Sequence, residues 1–247
     1  MEKIIDLTML IREGMAQHPA HGRTPIFLSG TRNHAAWRDF NRPNFYDSND
    51  VVSFENEQII ICGHTGTHMD SCFHGDPESE YTIDKMPIEC GYGAAIWLDV
   101  SHRFGSNNAV TAKDLQSAEE RTGAKVLPGD IVLIHTGWST VKDPVRYSME
   151  HMGLSREAGE WLRERNVRTV GIDTCNVDAA GELNLPVHMN FLRPRSLGLR
   201  NDEFIAVIEN LTNISSIPRP RFHFVGVPIP YLDKTGGQIR ALAVVES

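Results

Sequence analysis

What this chain lacks narrows its reading first. It has only four cysteines, at 62, 72, 90 and 175. None forms a CxxC pair, so neither a zinc ribbon nor a secreted disulfide scaffold is indicated. No apolar run is long enough to span a bilayer. The start, Met1-Glu2-Lys3-Ile4-Ile5-Asp6-Leu7, carries charges inside its apolar run and does not read as a signal peptide. Basic clusters are absent and the net charge is −8, which argues against a phosphate backbone as partner. Internal repeats, low-complexity tracts and linkers are also missing. The expectation is one compact cytoplasmic domain, 1–247, long enough to bury a full core and bound to neither nucleic acid nor membrane. The sequons at Asn210 and Asn213 then carry no weight, because glycosylation requires secretion.

What is present concentrates in one stretch, Gly63-His64-Thr65-Gly66-Thr67-His68-Met69-Asp70-Ser71-Cys72-Phe73-His74. Three imidazoles and a carboxylate fall within eleven consecutive residues, a donor mix that zinc, manganese and iron all accept. A lone histidine is ordinarily a satisfied core or surface residue; four donors this close form a candidate metal site. His64 and His68 stand at the i, i+4 spacing of a helical zinc motif. Gly63 and Gly66 would each cost a helix about 1 kcal/mol, and Thr65 and Thr67 are β-branched, so the sequence predicts extended backbone here. His68 and Asp70, two apart, then point to the same side. The run 51–62, ending in Ile59-Ile60-Ile61, reads as a strand that leaves His64 near its end, with glycines letting the backbone bend close to an ion.

Along the chain, strands are expected at 4–8, 25–29, 91–100, 131–134, 167–172, 222–228 and 239–245. Thr111 to Asp114 has capping-box character and opens a helix to about Thr122, with Leu115 and Ala118 facing inward. Ser155 caps a helix to about Arg165 whose Ala158, Trp161 and Leu162 form a core stripe. His188 falls in the segment 183–192 and Glu209 in 204–211. Alternating strands and helices argue an α/β layout. Residues 32–47, polar and dotted with aromatics, are either a lid or a surface excursion. His135-Thr136-Gly137-Trp138 is a candidate pocket wall. His34, His102, His135, His151 and His223 read as ordinary histidines, while His18 and His21 are closer cases because of their loop.

The stretch from His64 to His74 resembles the HxGTHxDxPxH signature of the cyclase-like metal-dependent hydrolases, the family of bacterial kynurenine formamidase and isatin hydrolase. Flanking blocks agree in order: Asp6-Leu7-Thr8, Pro128-Gly129-Asp130, Thr136-Gly137-Trp138, Gly171-Ile172-Asp173-Thr174 and Ile208-Glu209-Asn210-Leu211. The resemblance implies an α/β fold with a central β-barrel-like mixed sheet surrounded by helices, of the swivelling β/β/α type, assembled as a homodimer or homotetramer. It implies that His64 and His68 bind a first divalent ion, zinc or manganese, that Asp70 bridges to a second where one is present, that His188 binds the second, and that Glu209 contacts one or both. His74 would be the proton donor and acceptor, and the loop around Met15, His18 and His21 would touch a small-molecule substrate. Phe73, Trp138 and Phe191 could add apolar faces. Two positions depart from the pattern: Cys72 replaces the proline of the signature and Cys175 replaces a later one, each change restoring a backbone donor. The stretch between His188 and Glu209, with Arg193, Arg195 and Arg200, looks longer than in compact formamidases.

The expected reaction is cleavage of the C–N bond of an aryl formamide or a cyclic amide or lactam by metal-activated water, with His74 as general acid and base. Two other readings compete. His68, Asp70 and a distant His188 or His223 also fit the two-His, one-carboxylate triad of a non-haem iron oxygenase, which leaves His64 and His74 unexplained. A structural metal site would have a closed coordination sphere, whereas catalysis needs an open position.

Overall fold

The computed structural model describes residues 2–21, 25–29, 56–105 and 109–246. The segment 32–47 and His34 lie outside the described residues, as do 51–55 of the expected strand.

Nine strands form one mixed sheet: β1 (Glu2–Asp6), β4 (His68–Asp70), β5 (Tyr92–Asp99), β6 (Ile131–His135), β7 (Thr169–Ile172), β8 (Ala206–Glu209), β9 (Arg221–Val225), β10 (Gly236–Gln238) and β11 (Leu242–Glu246). Their order is β1-β11-β9-β5-β6-β7-β8-β4-β10. The pairs β5–β6, β6–β7 and β7–β8 are parallel and the rest antiparallel. Parallel neighbours need crossovers. These carry helices α2 (Ala112–Thr122), α3 (Pro144–Met149), α4 (Arg156–Glu164) and α5 (Pro186–Leu192), while the short α1 (Cys72–Gly75) follows β4.

The two long helices start where the sequence predicts. Thr111 accepts from the Asp114 amide and Asp114 answers with its carboxylate, and Ser155 accepts from Ala158. Each such cap is worth about 1 kcal/mol. Helix α3 also carries a legible start, Asp143 as cap with Pro144 at the first helical position.

Alternation along the strands divides the core. On β6, Ile131 and Leu133 face one apolar cluster with Met69, Ile208 and Phe224, while Val132 and Ile134 face a second under the helices with Val170, Leu162 and Phe191. The first cluster is enclosed because the sheet curls. Beyond β1, Thr8 pairs with Leu211 past the end of β8, and the Thr212 amide donates to the Leu7 carbonyl. The two flanks of the sheet therefore meet at one end, which produces the expected barrel-like, helix-wrapped architecture. Gly171 shows how tight the interior is, since a Cβ there would lie 2.6 Å from Leu133.

Two expectations need correction. The strand before the metal stretch is only β3 (Glu57–Ile60) among the described residues, and it pairs solely with β2 (Ile26–Ser29) in a separate two-stranded ribbon. Its isoleucines are exposed, Ile59 by 54% and Ile60 by 57%. The closing segment 239–245 is preceded by an extra strand, β10, that the glycine pair Gly236-Gly237 had hidden from a propensity reading.

Candidate metal centre

The site lies on the helix-facing side of the sheet, where β4 runs between β8 and β10. His68 and Asp70 alternate around Met69, so both side chains leave the interior cluster together. The register sets His68 opposite Glu209 and Asp70 opposite Val207. His68 Nε2 thus sits 3.6 Å from Glu209 Oε2 and 3.3 Å from Asp70 Oδ1.

His64 comes from a turn, four residues past β3. The side-chain amide of Gln238 holds that turn by donating to the carbonyls of Cys62 and Gly63, at 2.7 and 3.1 Å. Gly66 completes it with φ of +65°, a left-handed conformation suited to glycine, and lies against Ile11 and Met15. His64 Nδ1 is 2.6 Å from Asp70 Oδ1. His188, in the first turn of α5, points Nε2 at Asp70 Oδ2 and Glu209 Oε1, each 3.5 Å away. His74, on α1, sits at the solvent edge with its ring centroid 4.3 Å from that of His64 and 5.8 Å from that of His188.

The four other expected donors and His74, the expected acid and base, therefore gather around Asp70. Ligand atoms of His64, Asp70 and His74 lie within 4.8 Å of one another, and so do those of His68, Asp70 and Glu209. Asp70 belongs to both groups.

Three rings share one feature. Each turns one nitrogen towards Asp70 and engages an outer partner with the other. The outer partners are Thr235 Oγ1 for His64 Nε2 (2.8 Å), a hydroxyl that can accept or donate, the Gly66 carbonyl for His68 Nδ1 (2.8 Å) and Asp178 Oδ2 for His188 Nδ1 (2.7 Å). Metal-bound histidines are held this way, with the outer acceptor fixing tautomer and ring orientation. Asp178 also accepts from the amides of Val187 and His188, so it caps α5 while aiming the ring. Glu209 Oε1 accepts from the Val177 amide.

The electrostatics suit a cation. Burial pushes the Asp70 carboxyl up, but His68, His64 and His74 outweigh it and hold Asp70 well below the usual carboxylate range. Burial and then the Asp70 charge push Glu209 up to about 8. Burial opposes charge on His188, yet its hydrogen bonds to Asp178 and Asp70 and the nearby Glu209 raise it well above the usual imidazole value. His74 is pulled down by desolvation, with Asp70 opposing and His64, His188 and His68 adding to the pull. Two carboxylates share a dry pocket and one of them retains a proton, an arrangement that an entering divalent ion relieves. The donor set and its outer acceptors fit such an ion.

A model of the Putative cyclase family matches residues 5–179. The chain belongs to the cyclase family. His188 and Glu209 lie beyond the matched span, yet the cyclase fold brings them to the same carboxylate. The chain is 25% identical over 226 residues to a kynurenine formamidase of Paracidovorax citrulli (strain AAC00-1), covering 91% of this chain and 92% of that one. Isatin hydrolase A from Ralstonia solanacearum superposes with a TM-score of 0.76 at 25% identity, over 99% of this chain and 92% of the other. Isatin hydrolase A from Labrenzia aggregata, bound to benzyl benzoate, gives 0.80 at 20% identity, over 100% and 94%. This cyclase is a hydrolase.

The expected substrate contacts separate. Met15 is buried behind Gly66. His18, half-buried, reaches Asn176 at 3.5 Å, and burial followed by the charge of His188 lowers its pKa. Phe73 is half-buried beside His74 on α1. The His21 side chain lies outside the described residues. Trp138 lines a cavity, as expected of a pocket wall; it is 2% exposed, packs in the helix-side core and gives its indole N–H to the Tyr147 carbonyl. The cavity it lines, about 520 Å³, has none of the five donors or His74 in its wall. Phe191 is likewise core. A different cavity, about 580 Å³, is walled by His64 together with Ile59, Ile61, Tyr231, Leu232 and Lys234.

The two departures from the signature prove mild. Cys72 is the first residue of α1, where a backbone N–H has no helical partner in any case, so proline and cysteine are interchangeable there in backbone terms. Its thiol is buried against the Leu192 carbonyl. Cys175 is buried too, with its thiol 3.5 Å from His151 Nδ1.

Sequence reasoning passed over Thr235, Gly236 and Asp178. The Gly236-Gly237 pair inside a strand was an available sign of close backbone approach. Asp178 has no local signal.

Proposed function

We propose that this cyclase is a metal-dependent amidohydrolase that cleaves the C–N bond of an aryl formamide or of a cyclic amide or lactam, using zinc or manganese, one or two ions per chain. The observation that carries this reading is the shared orientation of three imidazoles, each with one nitrogen on Asp70 and the other on an outer partner. The kynurenine formamidase and isatin hydrolase relatives supply the substrate class. His64, His68, Asp70, His188 and Glu209 would hold the metal. When bound, a divalent ion supplies Lewis acidity towards water and towards a carbonyl oxygen.

The chain's own groups do the rest. Asp70, held ionised, gives an oxygen to each of the two donor groups it belongs to. Asp178 and the Gly66 carbonyl hold the outer nitrogens of His188 and His68, so the inner nitrogens would be the ones to ligate, that of His188 after giving up the proton its raised pKa retains. His74, at the solvent edge beside the donors, takes a proton from the attacking water on a ring nitrogen and returns it to the departing nitrogen. An oxygenase triad would use two imidazoles and one carboxylate and give the remaining donors no task.

We read the assembly as a homodimer or homotetramer of cytoplasmic chains. The apolar ribbon of Phe27, Leu28, Ile59 and Ile60 is a surface that a second copy would cover; light scattering on the purified protein tests that. Among the described residues no helix is long and apolar enough to cross a membrane.

The test of the function is elemental analysis of protein purified without chelator, followed by hydrolysis assays on aryl formamides and isatin-like lactams. One or two equivalents of zinc or manganese are expected, with hydrolysis lost on chelation and restored by the metal. A chain that takes up no metal even after reconstitution would sink the reading. His74→Ala should keep its metal and lose about 10²–10⁴-fold in turnover; retained turnover removes His74 from the mechanism.

A further inference from the structure

His64 differs from the other two imidazoles in how it is held. His68 stands on a strand and His188 in the first turn of a helix, whereas His64 stands on a turn whose backbone does not by itself orient a ring. Two residues from the far end of the chain supply what the turn lacks. Thr235 Oγ1 is 2.8 Å from His64 Nε2. Gly236 lies directly beneath the ring, and a Cβ there would come within 2.6 Å of His64 Cε1, 2.9 Å of Nδ1 and 3.0 Å of Nε2. Thr235 is itself tied to the carboxylate strand, because its carbonyl accepts from both the amide and the hydroxyl of Ser71, each at 2.9 Å, and Ser71 follows Asp70. Strand β10 pairs Gly236 with Asp70 in register.

We propose that Thr235 and Gly236 are positioning residues for the metal ligand His64: the hydroxyl oxygen of Thr235 accepts a hydrogen bond from Nε2–H in the metal-bound form and the bare backbone of Gly236 is the floor on which the ring lies, so that Nδ1 is held on Asp70. This rests on the reading of the cluster as a metal centre. Thr235 does for His64 what Asp178 does for His188, with a neutral hydroxyl in place of a carboxylate. At Gly236 a methyl group would meet the movable ring ahead of any backbone. The substitution therefore displaces the ligand without breaking the strand.

The experiment compares wild type, Thr235→Val, Thr235→Ser and Gly236→Ala, each stripped of metal and titrated with cobalt(II). Affinity comes from calorimetry and ligand geometry from the visible absorption of the bound cobalt. Thr235→Val should weaken binding about 10–100-fold, the range of a lost outer acceptor, and shift the cobalt spectrum. Thr235→Ser, which keeps the hydroxyl, should recover both, and Gly236→Ala should weaken binding at least as far as Thr235→Val. If Thr235→Val binds cobalt with wild-type affinity and spectrum, the positioning role is wrong and the metal centre stands. If wild type itself takes up no cobalt, the metal reading fails and takes this role with it. Should Gly236→Ala fold poorly, the near-isosteric valine and the hydroxyl-retaining serine still decide the matter.

Discussion

Two histidines are each paired with a buried carboxylate outside the ring of donors, and only one of them belongs to the metal centre. Asp178 takes His188 Nδ1 at 2.7 Å together with the amides of Val187 and His188. Asp173 takes His135 Nδ1 at 3.1 Å together with the amides of Thr136 and Gly137 and the Thr136 hydroxyl. Both carboxylates fasten a bend in the chain and both hold an imidazole. The difference lies in the nitrogen left over. On His188 it faces Asp70 and Glu209; the His135 ring lies edge-on to Trp97, 6.2 Å between centroids, at a partly open position. A histidine paired with a buried carboxylate is therefore no sign of a site by itself. What decides is whether further donors converge on the free face of the ring.

The largest effect that sharpens this contrast is expected at the carboxylate on which the rings converge. Asp70→Asn removes the charge shared by both donor groups and should cost more than the about 100-fold loss of affinity that an outer acceptor is worth, leaving hydrolysis at background. Metal content and turnover measured together check it. Retention of a full metal complement would show that the convergence on Asp70 is incidental.

Next come the two outer carboxylates compared directly. Asp178→Asn should weaken metal binding about 10–100-fold. Asp173→Asn, which alters a fully buried carboxylate that accepts from Thr136 and Gly137, should leave affinity unchanged and lower stability by about 1–3 kcal/mol. Calorimetric titration and thermal melts on both variants separate the outcomes. Equal losses of affinity would erase the distinction between the pairs.

The third effect concerns pH. In the empty site Glu209 keeps its proton up to about 8, and metal must expel it. Affinity should therefore rise with pH through that value, with one proton released from Glu209 and another from His188, whose pKa is also raised. Titration in buffers of different ionisation enthalpy counts the protons. Glu209→Gln should abolish the release from this group, and an unchanged proton count would assign it elsewhere.

How much of this was legible in the sequence follows from the range of each interaction. The pairing of His68 with Asp70 needed only the two-residue period of a strand, and the caps at Thr111 and Ser155 only three-residue spacings. His188 and Glu209 were nominated by family resemblance alone, since nothing local to either marks a ligand. Thr235 lies 171 residues from the ring it touches, and no periodicity spans that distance. An apolar pattern left the context open: the strand through Ile59 and Ile60 forms an exposed ribbon, and Trp138 walls a cavity that holds none of the donors while packing in the helix-side core. Composition reports that a residue is apolar; only the packed chain reports which surface it covers.

The smallest expected effect tests the other half of the comparison. At His135, burial disfavours charge, but the bond to Asp173 and the charges of Asp173 and Asp99 outweigh it and raise the pKa above the ordinary imidazole value. A group whose folded pKa is raised stabilises fully below its unfolded value, about 6.5, and loses that contribution as pH rises through the folded one. His135→Gln should accordingly cost about 1 kcal/mol under mildly acidic conditions, or about 2–4 °C in Tm for a chain of this size, with the gap to wild type closing as the medium becomes alkaline. Metal content should not change. A His135→Gln variant that lost metal would mean that its free nitrogen reaches the cluster after all, and the contrast between the two pairs would have to be drawn from something other than what their rings face.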